Sequence, residues 1–181
     1  VCVIGEPEET ICSIIQHYIE FGNKYEWLKK IVNVAYLSYN REVILSEKCE
    51  KRSNLFLSLM PDRSILANTE YRLQYNNEPF TIIYTSRGCP YSCIFCTSSI
   101  YSHKYFSRSV DSVIREIIQC ITDYNIRNFM FLSDTFTTDR QWVLRFCEEI
   151  IQRNICIKWV SNSRVDTIDS ALAVRMKRAG C

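Results

Sequence analysis

The chain of 181 residues has no run of 18 or more apolar residues, so it indicates no transmembrane helix. It shows no secretory signal pattern, and its many thiols suit a reducing, cytoplasmic setting. It carries little net charge: 22 Lys and Arg against 20 Asp and Glu leave a formal +2. That balance gives no argument for nucleic acid or for a charged membrane surface as partner. Histidine is scarce, with only His17 and His103. No initiator Met is present either. Val1-Cys2-Val3-Ile4-Gly5 reads as a buried strand, and the start is expected to be cut from a longer protein. With 47% hydrophobic and 23% charged residues, the chain is expected to build a real globular core.

Cysteine is abundant, with ten residues. A disulfide scaffold is not expected at this size and with so strongly patterned a core. Cys2, Cys12, Cys120, Cys147 and Cys156 fall within apolar strand or helix patterns and read as buried small hydrophobes. Cys49 and Cys181 receive no role. The other three form the informative group: Cys89, Cys93 and Cys96 stand in Arg87-Gly88-Cys89-Pro90-Tyr91-Ser92-Cys93-Ile94-Phe95-Cys96, spaced C-x3-C-x2-C with no fourth cysteine close behind. A structural zinc site would want four protein ligands. A [4Fe–4S] cluster held by three thiolates leaves one iron open to a small molecule.

The rest of the chain divides by pattern. Gly5-Glu6-Pro7-Glu8-Glu9-Thr10 opens a helix with acidic residues where the dipole favours them. Ile11, Ile14, Ile15, Tyr18 and Ile19 make its apolar stripe, and Gly22 stops it. Residues 31–37 and 42–45 predict a hairpin turning at 38–41. Residues 46–79 show no sustained period and read as a linker between domains. After Pro79 the pattern becomes strand, loop, helix, repeated. Strands are expected over 80–85, 128–132 and 155–160. Helices are expected after Ser109 (with Val113, Ile114, Ile117, Ile118 and Ile121 inward), over 140–153 and over 170–179. This alternation argues for an α/β chain with a parallel sheet. Three βα units are about half of what closes a barrel, so an open or truncated one is expected.

In such a sheet the loops after the strands' C-terminal ends share one face. The cysteine loop follows the first strand, Asp134 the second, and Asn162-Ser163-Arg164 the third. An open iron could take the amino and carboxylate groups of an amino-acid ligand. Asp134 could then accept a hydrogen bond from the amino group, Arg164 could pair with the carboxylate, and Phe95 could pack on a flat heterocycle. Each has a plainer alternative: Asp134 as a turn cap, Arg164 in a surface salt bridge, Phe95 in the barrel core.

The cysteine segment resembles the cluster loop of radical S-adenosylmethionine (SAM) enzymes, and Ser86-Arg87-Gly88-Cys89-Pro90 resembles the branch that also carries a cobalamin-binding domain. Gly5-Glu6-Pro7-Glu8-Glu9-Thr10 is similar to that domain's closing turn, with Pro7 in place of a Gly. Leu59-Met60-Pro61-Asp62-Arg63 is similar to its linker. Phe131-Leu132-Ser133-Asp134-Thr135-Phe136 is similar to the family's Phe-x-Asp-Asp-x-Phe, with Ser133 in place of the first Asp. Residues 159–166 and 176–181 also fit. The resemblance implies three parts: 1–45 as the end of a Rossmann-like cobalamin-binding domain, 46–79 as linker, and 80–181 as the N-terminal half of a TIM-like (β/α) barrel, the whole an internal fragment. It implies a [4Fe–4S] cluster on Cys89, Cys93 and Cys96. It implies SAM held with the help of Phe95, Asp134 and Arg164, and cobalamin in a full-length parent. The implied reaction is reductive cleavage of SAM to a 5'-deoxyadenosyl radical that abstracts hydrogen from an organic substrate, for methylation or cyclisation. It further implies a reductant such as flavodoxin or ferredoxin. The cobalt-ligating Asp-x-His-x-x-Gly signature is absent, and His17 reads as an ordinary surface or packing residue.

Two readings compete with this one. A non-enzymatic iron–sulfur carrier or zinc module would need a fourth ligand, for which Cys49 and Cys181 are the distant candidates. A thiol redox protein would use Cys93 and Cys96 as a C-x-x-C and leave Cys89 unexplained.

Overall fold

The computed structural model describes residues 1–22, 25–48, 60–74, 76–97 and 104–181. Cys49, Leu59 and His103 lie outside the described residues. The chain divides into two compact units, Val1–Leu59 and Met60–Cys181.

In the first unit, strand β1 (Cys2–Val3) leads to helix α1 (Glu8–Phe21), a 3-10 helix (Tyr25–Lys30), and strands β2 (Val34–Leu37) and β3 (Val43–Leu45). The sheet is antiparallel in the order β1-β2-β3, with Cys2 opposite Ala35 and Tyr36 opposite Ile44. The hairpin turns where expected, with Ser38 N–H donating to Glu42 O at 2.8 Å. Gly22 closes α1 by donating its N–H to Tyr18 O at 2.9 Å. A small core forms from Trp27, Leu28, Ile31, Val34 and Tyr36, packed by Ile14 and Ile44. His17 binds the Ser13 carbonyl through Nδ1 and lies 5.8 Å from the Phe21 and Trp27 rings, as befits a packing residue.

Several expectations fail here. Of the α1 stripe only Ile14 packs on this core, while Ile11, Ile15, Tyr18 and Ile19 are exposed. Periodicity marks an apolar face but not what covers it. Val1 to Ile4 is not a buried strand either, because β1 holds only the outer edge of a three-stranded sheet, with Val1 and Ile4 exposed. Cys2 and Cys12 share that exposure, and so does Cys156 in the second unit; Cys120 and Cys147 are buried as expected.

The second unit carries strands β4 (Phe80–Tyr84), β5 (Ser86–Arg87) and β6 (Phe106–Ser107), then helix α2 (Val110–Tyr124), β7 (Asn128–Leu132), α3 (Arg140–Gln152), β8 (Lys158–Ser161) and α4 (Ser170–Arg178). Strands β4, β7 and β8 form a parallel sheet in that order. Phe80 registers with Asn128, and Asn128 with Lys158. The β8 strand starts later than the pattern suggests. Asn154, at φ +52, turns the chain at the end of α3, and Ile155 N–H is still bonded back to Ile150 O.

Pleating separates the sheet's two faces. Ile83, Phe129, Phe131 and Trp159 point to the helices and are buried, while Ile82, Met130 and Val160, in register with one another, are exposed on the opposite face. The core is aromatic. Phe131 meets Phe146 edge-on at 5.2 Å, Trp159 at 5.3 Å and Phe136 at 5.9 Å. The helices begin on side-chain caps: Ser109, Asp139 and Asp169 accept from the N–H groups of Ser112, Trp142 and Leu172. Along α2, Val113, Ile114 and Ile117 are inward as expected, but Ile118 faces out, and Glu116 is fully buried. Residues 60–79 belong to this unit. Arg63 is 5% exposed and donates to Ile82 O at 2.9 Å. Among the described residues no helix is long and apolar enough to cross a membrane.

Candidate functional site

The cysteine loop leaves the sheet at the C-terminal end of β4 and returns through β6. Its base is a two-strand ribbon in which Ser86 pairs with Ser107 and Arg87 with Phe106. Arg108 locks that base. Its N–H donates to Thr85 O, its Nη1 donates to Tyr84 O, and its carbonyl accepts from Trp142 Nε1 at 2.6 Å. Gly88, at φ +78, lies so close to the returning chain that a Cβ there would sit 1.9 Å from Lys104 O. Only glycine satisfies both conditions. Tyr105 is partly enclosed in the same base; burial raises its pKa above the ordinary phenol value, and a hydrogen bond to Ser86 opposes the shift.

The three thiols differ in surroundings. Cys89 is buried, with Sγ 3.8 Å from Thr135 Oγ1 on the loop after β7. Cys93 is half-buried and accepts a hydrogen bond from Arg164 Nη1 at 3.3 Å. Cys96 is exposed, and its N–H donates to Cys93 O at 3.0 Å. Both later loops therefore reach the cysteine loop, one at Cys89 and one at Cys93. They also touch each other, through Phe136 N–H to Asn162 O and through the Thr137 and Thr167 hydroxyls. The structure thus brings Cys89, Cys93 and Arg164 into one neighbourhood. Phe95 and Asp134 are exposed residues of the same loops.

Arg164 is more occupied than the sequence suggests. Asp166 takes its Nε and Nη2 at 2.9 and 2.6 Å, and its guanidinium carbon lies 4.1 Å from the Tyr91 ring centroid. The pair raises the guanidinium pKa and holds the Asp166 carboxyl below its ordinary value. Thr135, Tyr91 and Asp166 are the partners that sequence reasoning left unassigned. Tyr91 and Thr135 stand within two residues of cysteines or carboxylates that it named, but only folding reveals the contacts.

A cavity of about 620 Å³ lies elsewhere, lined by Pro79, Asn128, Lys158 and Gly180 at the strands' N-terminal ends. The chemistry-bearing side chains are at the other end.

Comparison with known proteins agrees with this architecture. Residues 83–181 match the Radical SAM superfamily. An uncharacterized methyltransferase of Pyrococcus horikoshii is 34% identical over 123 residues, 67% of this chain and 26% of its own length. An anaerobic magnesium-protoporphyrin IX monomethyl ester cyclase of Cereibacter sphaeroides is 27% identical over 99% of this chain and 30% of its own length. Among solved structures, the radical SAM methyltransferase TsrM from Kitasatospora setae, with cobalamin and a [4Fe-4S] cluster bound, aligns with a TM-score of 0.77 at 17% identity. It covers 99% of this chain and 36% of that one. The cobalamin-dependent SAM radical enzyme OxsB aligns at 0.71 and 21% identity over 98% of this chain. At these identities the structural likeness speaks to the fold, an α/β radical SAM fold. The chain spans about a third or less of the curated relatives it matches. It belongs to the radical SAM superfamily, a family of enzymes.

The residues present suit a [4Fe–4S] cluster. Three soft thiol donors, Cys89, Cys93 and Cys96, stand on one loop, the donor type that iron–sulfur clusters take. Tetrahedral zinc needs its donors around one centre with bonds of about 2.3 Å. A cluster spreads its thiolates over separate irons. The Ser133 hydroxyl, buried at the end of β7 and without a hydrogen-bond partner, adds an unsatisfied polar group at the same rim.

Proposed function

We propose that the chain is the cluster-bearing part of a cobalamin-associated radical SAM enzyme acting on an organic substrate, with methylation or cyclisation as the outcome. The three-cysteine loop at the C-terminal end of β4, touched by the loops after β7 and β8, carries this reading. The relatives named as a methyltransferase and a cyclase support the reaction classes. In this reading residues 1–45 close a cobalamin-binding domain, 46–79 connect it, and 80–181 begin the barrel. A one-electron donor such as flavodoxin or ferredoxin supplies the reductant.

Cys89, Cys93 and Cys96 hold the [4Fe–4S] cluster. Bound there with SAM on its open iron, such a cluster would supply the one electron needed for reductive cleavage of SAM to methionine and a 5'-deoxyadenosyl radical, the hydrogen-abstracting species. The protein's own part is placement. Gly88 and the Arg108 lock fix where the loop leaves and returns. The buried side of the loop, at Cys89, keeps one ligand away from water. Asp134 stands on the rim to accept from the SAM amino group, and Phe95 is free to pack on a planar ring, while Arg164 reaches the rim through its hydrogen bond to Cys93. A closed four-thiolate cluster has little support. Cys181 follows Gly180, whose carbonyl accepts from Trp159 N–H at the start of β8, the end of the sheet away from the cysteine loop.

The deciding experiment is anaerobic reconstitution with iron and sulfide, followed by EPR of the dithionite-reduced protein with and without SAM. A [4Fe–4S]+ signal that changes on adding SAM is expected, and it should vanish in Cys89→Ser, Cys93→Ser and Cys96→Ser while persisting in Cys49→Ser and Cys181→Ser. A signal indifferent to SAM, or tight zinc without a cluster, overturns the proposal.

A further inference from the structure

We infer that Arg164 acts on the cluster through Cys93, raising its reduction potential, and is a positioning and tuning residue rather than a clamp for the carboxylate of SAM. The inference rests on the cluster assignment above. Its basis is the way the guanidinium is used. Asp166 occupies the Nε–Nη2 edge of the fork with two hydrogen bonds, at 2.9 and 2.6 Å. The Tyr91 ring covers one face at 4.1 Å. Nη1 points at Cys93 Sγ, 3.3 Å away. A planar group held on an edge, a face and a tip has its direction set by three partners, two of them outside the cysteine loop's own sulfurs. Because Arg164 opens the 3-10 helix Val165–Thr167, its backbone is anchored as well, with Thr167 N–H donating to Arg164 O.

The physical consequence has a definite sign. Adding one electron to a thiolate-bound cluster increases negative charge that spreads onto the cysteine sulfurs. A hydrogen bond from a cation to one of those sulfurs stabilises the reduced form more than the oxidised form. Hydrogen bonds to the sulfurs, net charge and solvent exposure are the levers that set such potentials. Asp166 moderates the charge without cancelling it, since Nη1 is the part of the pair nearest the sulfur. The site is partly open, with Arg164 35% exposed, so added salt should weaken the effect.

The test compares the reconstituted wild-type chain with Arg164→Met and Arg164→Gln in EPR-monitored redox titrations without SAM, alongside iron and sulfide content. Both variants are expected to load the cluster and to be harder to reduce. At a fixed potential the reduced-to-oxidised ratio should fall about tenfold, equivalent to about 59 mV for one electron. Arg164→Lys should fall between, since it keeps charge but not the planar fork. A SAM titration of the same samples should give the EPR change at similar SAM concentrations in wild type and Arg164→Met. Equal midpoints in loaded variants overturn the inference and leave the functional proposal standing. Loss of SAM response with an unchanged midpoint also overturns it, returning Arg164 to carboxylate binding. If wild type loads and neither neutral variant does, Arg164 holds the loop instead, and the inference fails. A wild-type chain that takes up no cluster defeats the functional proposal itself.

Discussion

Arg63 and Glu116, fifty-three residues apart in sequence, meet in the protein interior with Nη2 and Oε1 separated by 2.6 Å and side chains 5% and 0% exposed. The other carboxylate oxygen of Glu116 takes Arg108 Nη1. Each arginine also donates to β4, Arg63 to Ile82 O and Arg108 to Tyr84 O. One buried carboxylate thereby ties the segment before the sheet, the outer edge of the first parallel strand and the base of the cysteine loop to α2.

Removing that carboxylate leaves two buried guanidinium groups uncompensated. Glu116→Gln should cost on the order of 3–5 kcal/mol, the range for breaking a buried ion pair from one side. Urea denaturation followed by circular dichroism measures it. The triple replacement Arg63→Met, Glu116→Leu, Arg108→Met should recover only part of the loss. Apolar side chains remove the charge problem, but the Ile82 and Tyr84 carbonyls then lose their donors. Full recovery would mean that those carbonyl contacts contribute nothing.

Glu116 also shows the limits of what was legible beforehand. It stands three residues after Val113 and four before Cys120, on the inward stripe of α2, yet the sequence reading named only that stripe's apolar members and passed over it. Which cations meet it was not readable either, because Arg63 comes from a segment without any period. The β7 strand was readable to the residue from its apolar run between turn signals, whereas the two-residue β5 and β6 strands have too little alternation to register. The cysteine spacing exposed the candidate ligands directly. The contacts Cys89–Thr135 and Arg164–Cys93 exist only because separate βα units bring their loops to one rim, which spacing along the chain does not encode.

Gly88→Ala should damage the cysteine loop specifically. The left-handed conformation alone costs an L-residue about 1–2 kcal/mol, and the new methyl would sit only 1.9 Å from the Lys104 carbonyl oxygen, so the backbone there would have to move. The expected result is a lower iron-to-protein ratio after reconstitution, together with faster amide exchange at the ends of the loop. Normal loading would show that the ribbon of β5 and β6 relaxes without harm.

The cap of α4 makes a pH prediction. The Leu172 N–H bonded to Asp169, and then Arg140 beside it, hold the Asp169 carboxyl below its ordinary value. A lowered carboxyl contributes stability above its unfolded value, and that contribution disappears as pH falls through the lower folded value. Asp169→Asn keeps a cap acceptor but removes the charge. Its melting temperature should lie below wild type near neutral pH, and the difference should begin to shrink only as pH falls below the unfolded carboxyl value of about 3.9, vanishing below the lower folded value. Both ends of α4's capping pair are exposed, so the gap should be small and should shrink with added salt. A gap that persists at low pH would assign the effect to cap geometry instead.

The thiols offer a readout that needs no cofactor. Cys120 and Cys147 lie inside the helical layer, where burial raises their pKa values to about 11 and about 12. At pH 8 such thiols are almost wholly protonated, and the thiolate is the reactive form. Cys2, Cys12 and Cys156 are exposed despite their apolar sequence surroundings. Alkylation of the native chain at pH 8, mapped by mass spectrometry, should therefore label Cys2, Cys12 and Cys156 within the first time points. It should reach Cys120 and Cys147 only after denaturant is added. Raising the pH toward 10 should speed the exposed sites and leave the two buried ones unlabelled, because access as well as ionisation is withheld. Early labelling of Cys147 would contradict its full burial in the core beneath α3.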